Sequence, residues 1–270
     1  MKTSTHAIFC IITVLTGSSA IAAGQAKTLL LLENASYRLP SAQLANRKFA
    51  PKKLFTQVKK GRKPLVFKHG NTKLIVHLNL PIQNAKTEGI VNAANGGIFG
   101  SDGVAKCIQD KVDKKKWKDY VATVHNALDH LRAMGNAQLF PSGSALRMPS
   151  YYPDASPIKQ IIHAVGSQAS EHLVPEKLYY AYLNTLELAN QQGIASITFP
   201  LLSAGIFGVS DPDFNGRLNP IKPAIAAIND FVSHNPHSSL KEIHFTLFPV
   251  KGGPDWHHLF IDALNSLPEA

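Results

Sequence analysis

Cysteine is almost absent from this sequence, with 2 among 270 residues. Cys10 lies in the apolar N-terminal segment, and Cys107 stands alone in the rest of the chain. If that segment is removed on export, no internal disulfide can form, which excludes the small disulfide-stapled class of exported protein. A domain of this length can bury a sufficient core without disulfides. Cys107 has no base beside it in sequence, which favours a small core residue over a nucleophile.

The motifs of several common enzyme classes are also missing. No Gly-x-Gly-x-x-Gly appears, and no lysine follows a glycine-rich segment as in a nucleoside-triphosphate loop. Ser203 lacks the first glycine of the serine-hydrolase elbow. Residues 211–216 begin like a calcium loop, but Lys222 stands where a bidentate glutamate is needed. His257 and His258 are adjacent and diverge on a helix, so we expect neither a metal nor a cofactor.

No apolar run is long enough to span a bilayer comfortably. Met1 and Lys2 give a positive start, residues 7–15 are apolar apart from Thr13, and residues 20–22 offer a small-x-small cleavage pattern. A retained membrane anchor is the less favoured alternative. The sequence therefore predicts an export signal at 1–22 and a periplasmic or secreted protein with no transmembrane anchor after cleavage.

Acidic residues are nearly missing between residues 24 and 74, where twelve lysines and arginines stand against Glu33 alone. The formal net charge of the whole chain is +10, so the remainder is close to neutral. Pro40 and Pro51 interrupt a weak apolar pattern, which indicates a basic N-terminal extension at 23–63 that adds little to the core. Such a segment favours contact with a polyanion.

Strands and helices alternate through the rest of the chain. Strands are predicted at 65–67, 74–78, 89–92, 160–165, 194–200 and 242–248, and helices at 103–132, 176–192, 220–234 and 256–267. This alternation predicts a three-layer α/β/α sandwich with a central mixed sheet, formed by a domain at 64–270. In such folds, ligands bind beyond the carboxyl ends of the parallel strands.

Two glycine-rich loops follow predicted strands at that edge. The first is NAANGGIFGSDGV at 92–104, and the second is SAGIFG at 203–208. Glycine lets backbone approach a ligand closely, and successive backbone N–H groups bind phosphate without a lysine. The first loop by itself is equally compatible with a flexible turn. Two such loops on one rim favour a site for a pyrophosphate.

These segments resemble the macrodomain family, whose members bind ADP-ribose. The resemblance runs from about residue 72 to 267 and rests on NAAN with its glycines, PSGSA at 141–145, IIHAVGS at 161–167 and LNTLELANQQGIASITFPLLSAGIFG at 183–208. The second loop is closest to the form seen in viral macrodomains. The resemblance does not cover residues 24–63.

The resemblance implies a role for individual residues. Asn95 would hydrogen-bond the distal ribose and is the candidate catalytic residue, with Asn92 in the same ligand-binding set. Phe248 would pack along the adenine, with Asn79 the nearest polar candidate for recognising it. Backbone amides would hold the pyrophosphate at Gly103, Val104, Ser203, Ala204, Gly205, Ile206 and Phe207, and the Phe207 ring would lie along the distal ribose.

The sequence departs from the family pattern at three places. An aspartate that usually recognises the adenine amine is missing near Pro81. Ala105 stands where cellular ADP-ribosyl hydrolases carry a catalytic aspartate, as it does in viral members. Ser101 and Asp102 replace two usual glycines of the first loop, and a carboxylate facing a pyrophosphate would repel it.

Three functions remain open at this point. The leading interpretation is an exported macrodomain that removes mono-ADP-ribose from acidic side chains of modified proteins. The second is a module that binds ADP-ribose without turning it over, which the changes at Ser101, Asp102 and Ala105 favour. The third is attachment to a polyanion through the basic extension.

Overall fold

The computed structural model describes residues 35–36, 52–59, 64–95, 102–133, 140–167, 174–205, 220–248 and 255–268. Nine strands form one sheet in the order β1-β6-β7-β5-β8-β9-β4-β3-β2. The strands are β1 (Ala35–Ser36), β2 (Thr56–Lys59), β3 (Leu65–His69), β4 (Thr72–Leu78), β5 (Gly89–Ala94), β6 (Ala145–Pro149), β7 (Gln160–Val165), β8 (Ser196–Pro200) and β9 (Glu242–Leu247). The helices are α1 (Gly103–Gln109), α2 (Lys114–Ala133), α3 (Val174–Gln191), α4 (Ile221–His234) and α5 (Trp256–Asn265), with a 3-10 turn at Ile82–Asn84.

Strand direction makes the sheet mixed, as predicted. The five central strands β7, β5, β8, β9 and β4 run parallel, while β1, β6, β3 and β2 pair antiparallel at the two sides. The buried strands read as apolar runs because helices cover the middle of the sheet on both faces. The carboxyl ends of the five parallel strands therefore meet along one edge.

Among the described residues, one hydrophobic core lies on each face of the sheet. The larger core joins α3, α4 and α5 to one face, with fully buried rings such as Phe199, Phe245 and Phe260. The smaller core joins α1 and the start of α2 to the other face through Ile108 and Trp117. This arrangement confirms the predicted three-layer α/β/α sandwich.

The long helix predicted at 103–132 is wrong in one respect, because the structure divides it in two. The break lies at 110–113, where the Asp113 carboxylate accepts hydrogen bonds from the backbone N–H of Lys115 and of Lys116 at 2.9 and 3.0 Å. The Asp113 backbone N–H is itself bonded to the Tyr151 carbonyl at 2.9 Å. An aspartate that accepts from these N–H groups fixes the start of the second helix.

The prediction that residues 23–63 add little to the core needs correction. Strand β2 extends the sheet beside β3, and the two residues of β1 pair with β6. Phe55 is only 4% exposed and lies in the larger core. The sequence did not reveal this place in the sheet, because an edge strand needs few buried side chains and its apolar pattern is therefore weak. The domain therefore begins before residue 64.

Phe55→Leu is expected to lower the free energy of unfolding by about 1 kcal/mol, since it leaves part of a buried ring volume unfilled. Chemical denaturation monitored by circular dichroism measures the change. Thr56→Ser, at the exposed neighbouring position, is the matched control. Equal stability of the Phe55 variant and the wild-type protein would restore the view that this segment is independent of the core.

The predicted export signal at 1–22 lies outside the described residues. Within the described ranges, no helix combines the length and the apolar character needed to cross a bilayer.

Candidate functional site

The carboxyl ends of the central strands bring the predicted site residues to one edge of the sheet. Asn95 follows β5, and Ser203, Ala204 and Gly205 follow β8. Phe248 follows β9 and Asn79 follows β4, which pair in parallel up to Leu78 and Leu247. Residues far apart in sequence thus share one rim, as the alternating pattern predicted.

The sheet opens between β5 and β8 towards this rim. Strand β5 pairs with β7 along its full length, up to Ala94 and Val165. Its pairing with β8 stops at Ile90 and Thr198, four residues before β5 ends. After β5 the chain forms β7 on one side of β5, and it later forms β8 on the other side. Open α/β sheets bind ligands at such a point, where the strand order changes direction.

The second loop turns sharply as it leaves β8. The Ala204 N–H bonds back to the Leu201 carbonyl at 3.4 Å, and the Leu202 N–H donates to the buried Tyr182 hydroxyl at 2.7 Å. Ser203 lies between them at φ +59°, in the left-handed region. Within the described part of the chain, the backbone N–H groups of Ser203 and Gly205 make no hydrogen bond. These two amides are therefore available to an anion.

The two asparagines of the first loop have different surroundings. Asn92 is fully buried, and its amide nitrogen lies 3.0 Å from Nδ1 of His163, which is also fully buried. The predicted ligand-binding residue Asn92 is therefore buried beside β7 in this structure, and its contact with a ligand stays a prediction. Asn95 is half-buried and directly follows the end of β5. Contact of Asn95 with a ribose stays a prediction.

Two residues with unusual features, Asp102 and Gly103, connect the first loop to α1. Asp102 is the exposed N-cap residue, and its side chain makes no capping hydrogen bond to the helix. Gly103 has φ +58°, which explains a glycine there. Val104 packs partly against the smaller core. Ala105 is buried, with 2% of its surface exposed. The position of the missing aspartate is thus a buried methyl group in this chain.

Asp102→Gly is expected to change ADP-ribose affinity by less than threefold, because Asp102 is exposed and Gly103 after it still allows the backbone to approach a diphosphate. The same variant is expected to lower stability by roughly 0.3–1 kcal/mol through the lost interaction with the helix dipole. Calorimetry and thermal melting measure the two effects. A tenfold gain in affinity would mean that Asp102 faces the ligand and would favour a weakened binding module over a hydrolase.

Asn79 and Phe248 lie side by side at the far end of the rim. The Asn79 N–H donates to the Leu247 carbonyl at 3.0 Å, and Phe248 is the next residue. Asn79 is exposed at φ +59°, and the Phe248 ring is 45% exposed, which is unusual for a large apolar side chain. Pro81 begins the 3-10 turn and supplies no polar group. An exposed ring beside an amide suits a purine base, although that contact stays a prediction.

A chain of polar side chains lies on one face of β4 and β9. Nζ of Lys73 is 2.8 Å from Glu242, and Glu242 is 3.3 Å from Nε2 of His244. Nδ1 of His244 is 2.9 Å from Nε2 of His77, and the two rings are stacked with 13° between their planes. Burial, and then the charge of His244, lower the pKa of His77 to about 4. Burial also lowers the pKa of His244, against the opposing effect of Glu242.

Stability is expected to fall as the pH drops from about 6.5 towards 4. In that interval the unfolded histidines, with pKa near 6.5, bind protons that the folded pair resists, so protonation favours the unfolded chain. Melting temperatures at stepped pH measure the effect, and His77→Gln should make the dependence shallower. His237→Gln, at an exposed position, is the control. An unchanged slope in the His77 variant would contradict the role of the pair.

Some predictions fall on residues that the structure does not describe. Ser101, Ile206, Phe207 and the possible calcium loop at 211–216 lie outside the described ranges. Within those ranges, no group of three or more side chains is arranged to hold a metal ion. The His258 ring lies 3.1 Å from Asp262 on α5.

Sequence reasoning missed the residues that support the second loop. Ser203 Oγ donates to the Ser167 carbonyl at 2.5 Å, and the backbone of Gly166 lies directly against Ser203. Tyr182 is fully buried on α3 and accepts the Leu202 N–H. Gly166 and Ser167 belong to the segment at 161–167 that resembles the family, but no local pattern in the sequence connects them to residue 203.

Comparisons with known proteins agree with this geometry. The Macro domain family model matches residues 91–213. A Xenopus laevis protein named ADP-ribose glycohydrolase MACROD2 is 28% identical over 186 residues, covering 64% of this chain but only 40% of the frog protein. A Citrobacter rodentium O-acetyl-ADP-ribose deacetylase is 29% identical, covering 62% of this chain and 84% of that enzyme.

A solved structure supports the fold independently. The Oceanobacillus iheyensis macrodomain with ADP superposes with a TM-score of 0.57 at 22% identity, covering 75% of this chain and 95% of the other. The matched family model shows that the chain belongs to the Macro domain family, and the fold agrees with that membership.

Proposed function

We propose that this protein binds ADP-ribose and hydrolyses mono-ADP-ribose from acidic side chains of modified proteins. The observation that carries the proposal is the pair of amides at Ser203 and Gly205, which make no hydrogen bond within the described ranges and follow β8 beside the opening to β5. Backbone N–H groups with no internal partner are suited to a diphosphate, because binding costs them no existing bond. Relatives named as a glycohydrolase and a deacetylase support a hydrolase in general.

The ligand is proposed to lie along the rim. The diphosphate binds the amides of the second loop and, opposite them, those at the start of α1. The adenine lies against the exposed Phe248 ring beside Asn79. The distal ribose then extends towards Asn95 at the end of β5, whose carboxamide can donate to one hydroxyl and accept from another.

The proposed reaction replaces one C1″–O bond with another. The oxygen of a water molecule bonds to C1″ of the distal ribose, while the bond from C1″ to the acidic side chain breaks. The carboxylate leaves with the electron pair, and the water proton passes to a diphosphate oxygen of the substrate or to solvent. Asn95 orients the sugar for this attack. Ala105 supplies no general base, so the substrate itself has to position the water.

A binding module without turnover is the second candidate. The buried methyl group at position 105 and the exposed carboxylate at the entrance to α1 favour it, because a hydrolase usually places an acid–base group beside the reacting bond. Both candidates require the same diphosphate contacts.

One assay separates the candidates. The full chain is incubated with a protein mono-ADP-ribosylated on glutamate or aspartate, and free ADP-ribose is followed by chromatography. O-acetyl-ADP-ribose is a second substrate in the same assay. Release of ADP-ribose supports the hydrolase, whereas calorimetric binding without release supports the binding module. Neither binding nor release would refute both.

We also propose that the protein is exported and that the basic segment before residue 64 contacts a polyanion. The apolar start of the sequence and the excess of lysine and arginine support these two proposals. Mass spectrometry of the protein recovered outside the cytoplasm tests cleavage near residue 22. Heparin binding at stepped salt concentrations tests the polyanion contact, and salt-independent binding would contradict it.

A further inference from the structure

The second loop is tied to the end of β7 by a side chain that the proposed reaction does not use. Ser203 Oγ donates to the Ser167 carbonyl at 2.5 Å, and Ser167 is 1% exposed. The bond joins the loop after β8 to the loop after β7, 36 residues away in sequence. We call this bond the Ser203 tether.

The tether needs a glycine at position 166. A Cβ added there would lie 2.7 Å from Ser203 Oγ, closer than real Cβ contacts allow, and 3.6 Å from the Ser203 nitrogen. Gly166 does not have a left-handed φ, since only Gly70, Gly103, Gly143 and Gly193 do among the described glycines. The glycine is therefore required for space and not for its backbone conformation.

The tether also holds Ser203 in a conformation that serine rarely adopts. At φ +59°, Ser203 occupies the turn position where glycine or asparagine is usual. In this turn, the amides of Leu202 and Ala204 are bonded within the protein, whereas those of Ser203 and Gly205 have no partner among the described residues. Ser203 in this conformation thus lies in a turn whose own amide and the amide of Gly205 are left without an internal bond in the described ranges.

We propose that Ser203 and Gly166 are positioning residues, and that the tether presets the backbone amides of Ser203 and Gly205 for a diphosphate. The inference rests on the proposed function and extends it. A loop that is already in its bound conformation loses less entropy when the ligand binds, so the tether increases affinity for the diphosphate part of a ligand. It has no such effect on the nucleoside part, which lies at Phe248.

Ligand titrations of the full chain test the proposal. ADP-ribose is titrated by calorimetry and adenosine by NMR, against the wild-type protein and the variants Ser203→Ala, Ser203→Gly and Gly166→Ala. We expect Ser203→Ala and Gly166→Ala to weaken ADP-ribose binding at least fivefold and to leave adenosine binding within twofold. Ser203→Gly is expected to lose less, because glycine accepts the left-handed φ without the tether.

Ser266→Ala is the matched control, because Ser266 Oγ also donates to a backbone carbonyl, that of Ala263 at 3.3 Å, at the far end of α5. It is expected to bind both ligands like the wild-type protein. Wild-type ADP-ribose affinity in Ser203→Ala would overturn the proposal. An equal loss for ADP-ribose and adenosine would also overturn it, because that result indicates general damage to the fold.

Amide hydrogen exchange of the ligand-free protein separates this proposal from the proposed function. Ser203→Ala is expected to speed exchange at the Leu202 and Ala204 amides at least fivefold, while Ser266→Ala changes neither. Unchanged exchange would overturn the tether. If the wild-type protein fails to bind ADP-ribose, the proposed function is wrong, and faster exchange would still establish the tether as a feature of the loop.

Discussion

Gly205→Val is expected to abolish ADP-ribose binding and leave the fold intact. A Cβ added at Gly205 meets none of the described residues within 4 Å, the residue is exposed, and its φ lies outside the left-handed region. The protein itself therefore accepts a side chain there. A bound diphosphate would not, because the valine would occupy the space in which the backbone has to contact the phosphate oxygens.

The expected loss of affinity is at least about 100-fold, equivalent to roughly 2.7 kcal/mol or more. Calorimetry measures the affinity, and circular dichroism and thermal melting verify the fold. Gly205→Ala should give a smaller loss in proportion to its smaller side chain. Ala155→Val, at an exposed position before the amino end of β7, is the control for the added volume. Wild-type affinity in folded Gly205→Val protein would refute the assignment of the second loop to the diphosphate.

Asn95→Ala is expected to reduce hydrolysis at least tenfold while ADP-ribose binding falls much less. Asn95 directly follows β5 at the open end of the sheet. In the proposed function its carboxamide donates to and accepts from the distal ribose. Loss of one hydrogen bond that strengthens in the transition state corresponds to roughly 1.5–3 kcal/mol. The effect should therefore appear in kcat more than in KM.

Single-turnover release of ADP-ribose measures this change. Asn265→Ala, at an exposed position near the end of α5, is the matched control and should leave the rate unchanged. Unchanged turnover in Asn95→Ala protein would remove Asn95 from the mechanism. The two variants separate ligand binding from hydrolysis. Gly205→Val should lose both binding and hydrolysis, whereas Asn95→Ala should lose mainly hydrolysis.

The sequence by itself determined the central part of the fold. Short apolar runs alternating with helical patterns predicted the strands at 89–92, 160–165 and 242–248, because local periodicity reports which faces are buried. The glycine loops then predicted the edge of the sheet at which a site would form. These features depend on neighbours in sequence and can be recognised without a structure.

The tertiary structure alone decided the features that depend on distant contacts. The place of Phe55 in the core, the division of the predicted helix at Asp113 and the burial of Asn92 against His163 each require a partner from another element. The contact of Gly166 with Ser203 is the clearest example. It exists because β7 and β8 end at the same edge on either side of β5, and no local pattern in either segment records that the fold brings their ends within hydrogen-bonding distance.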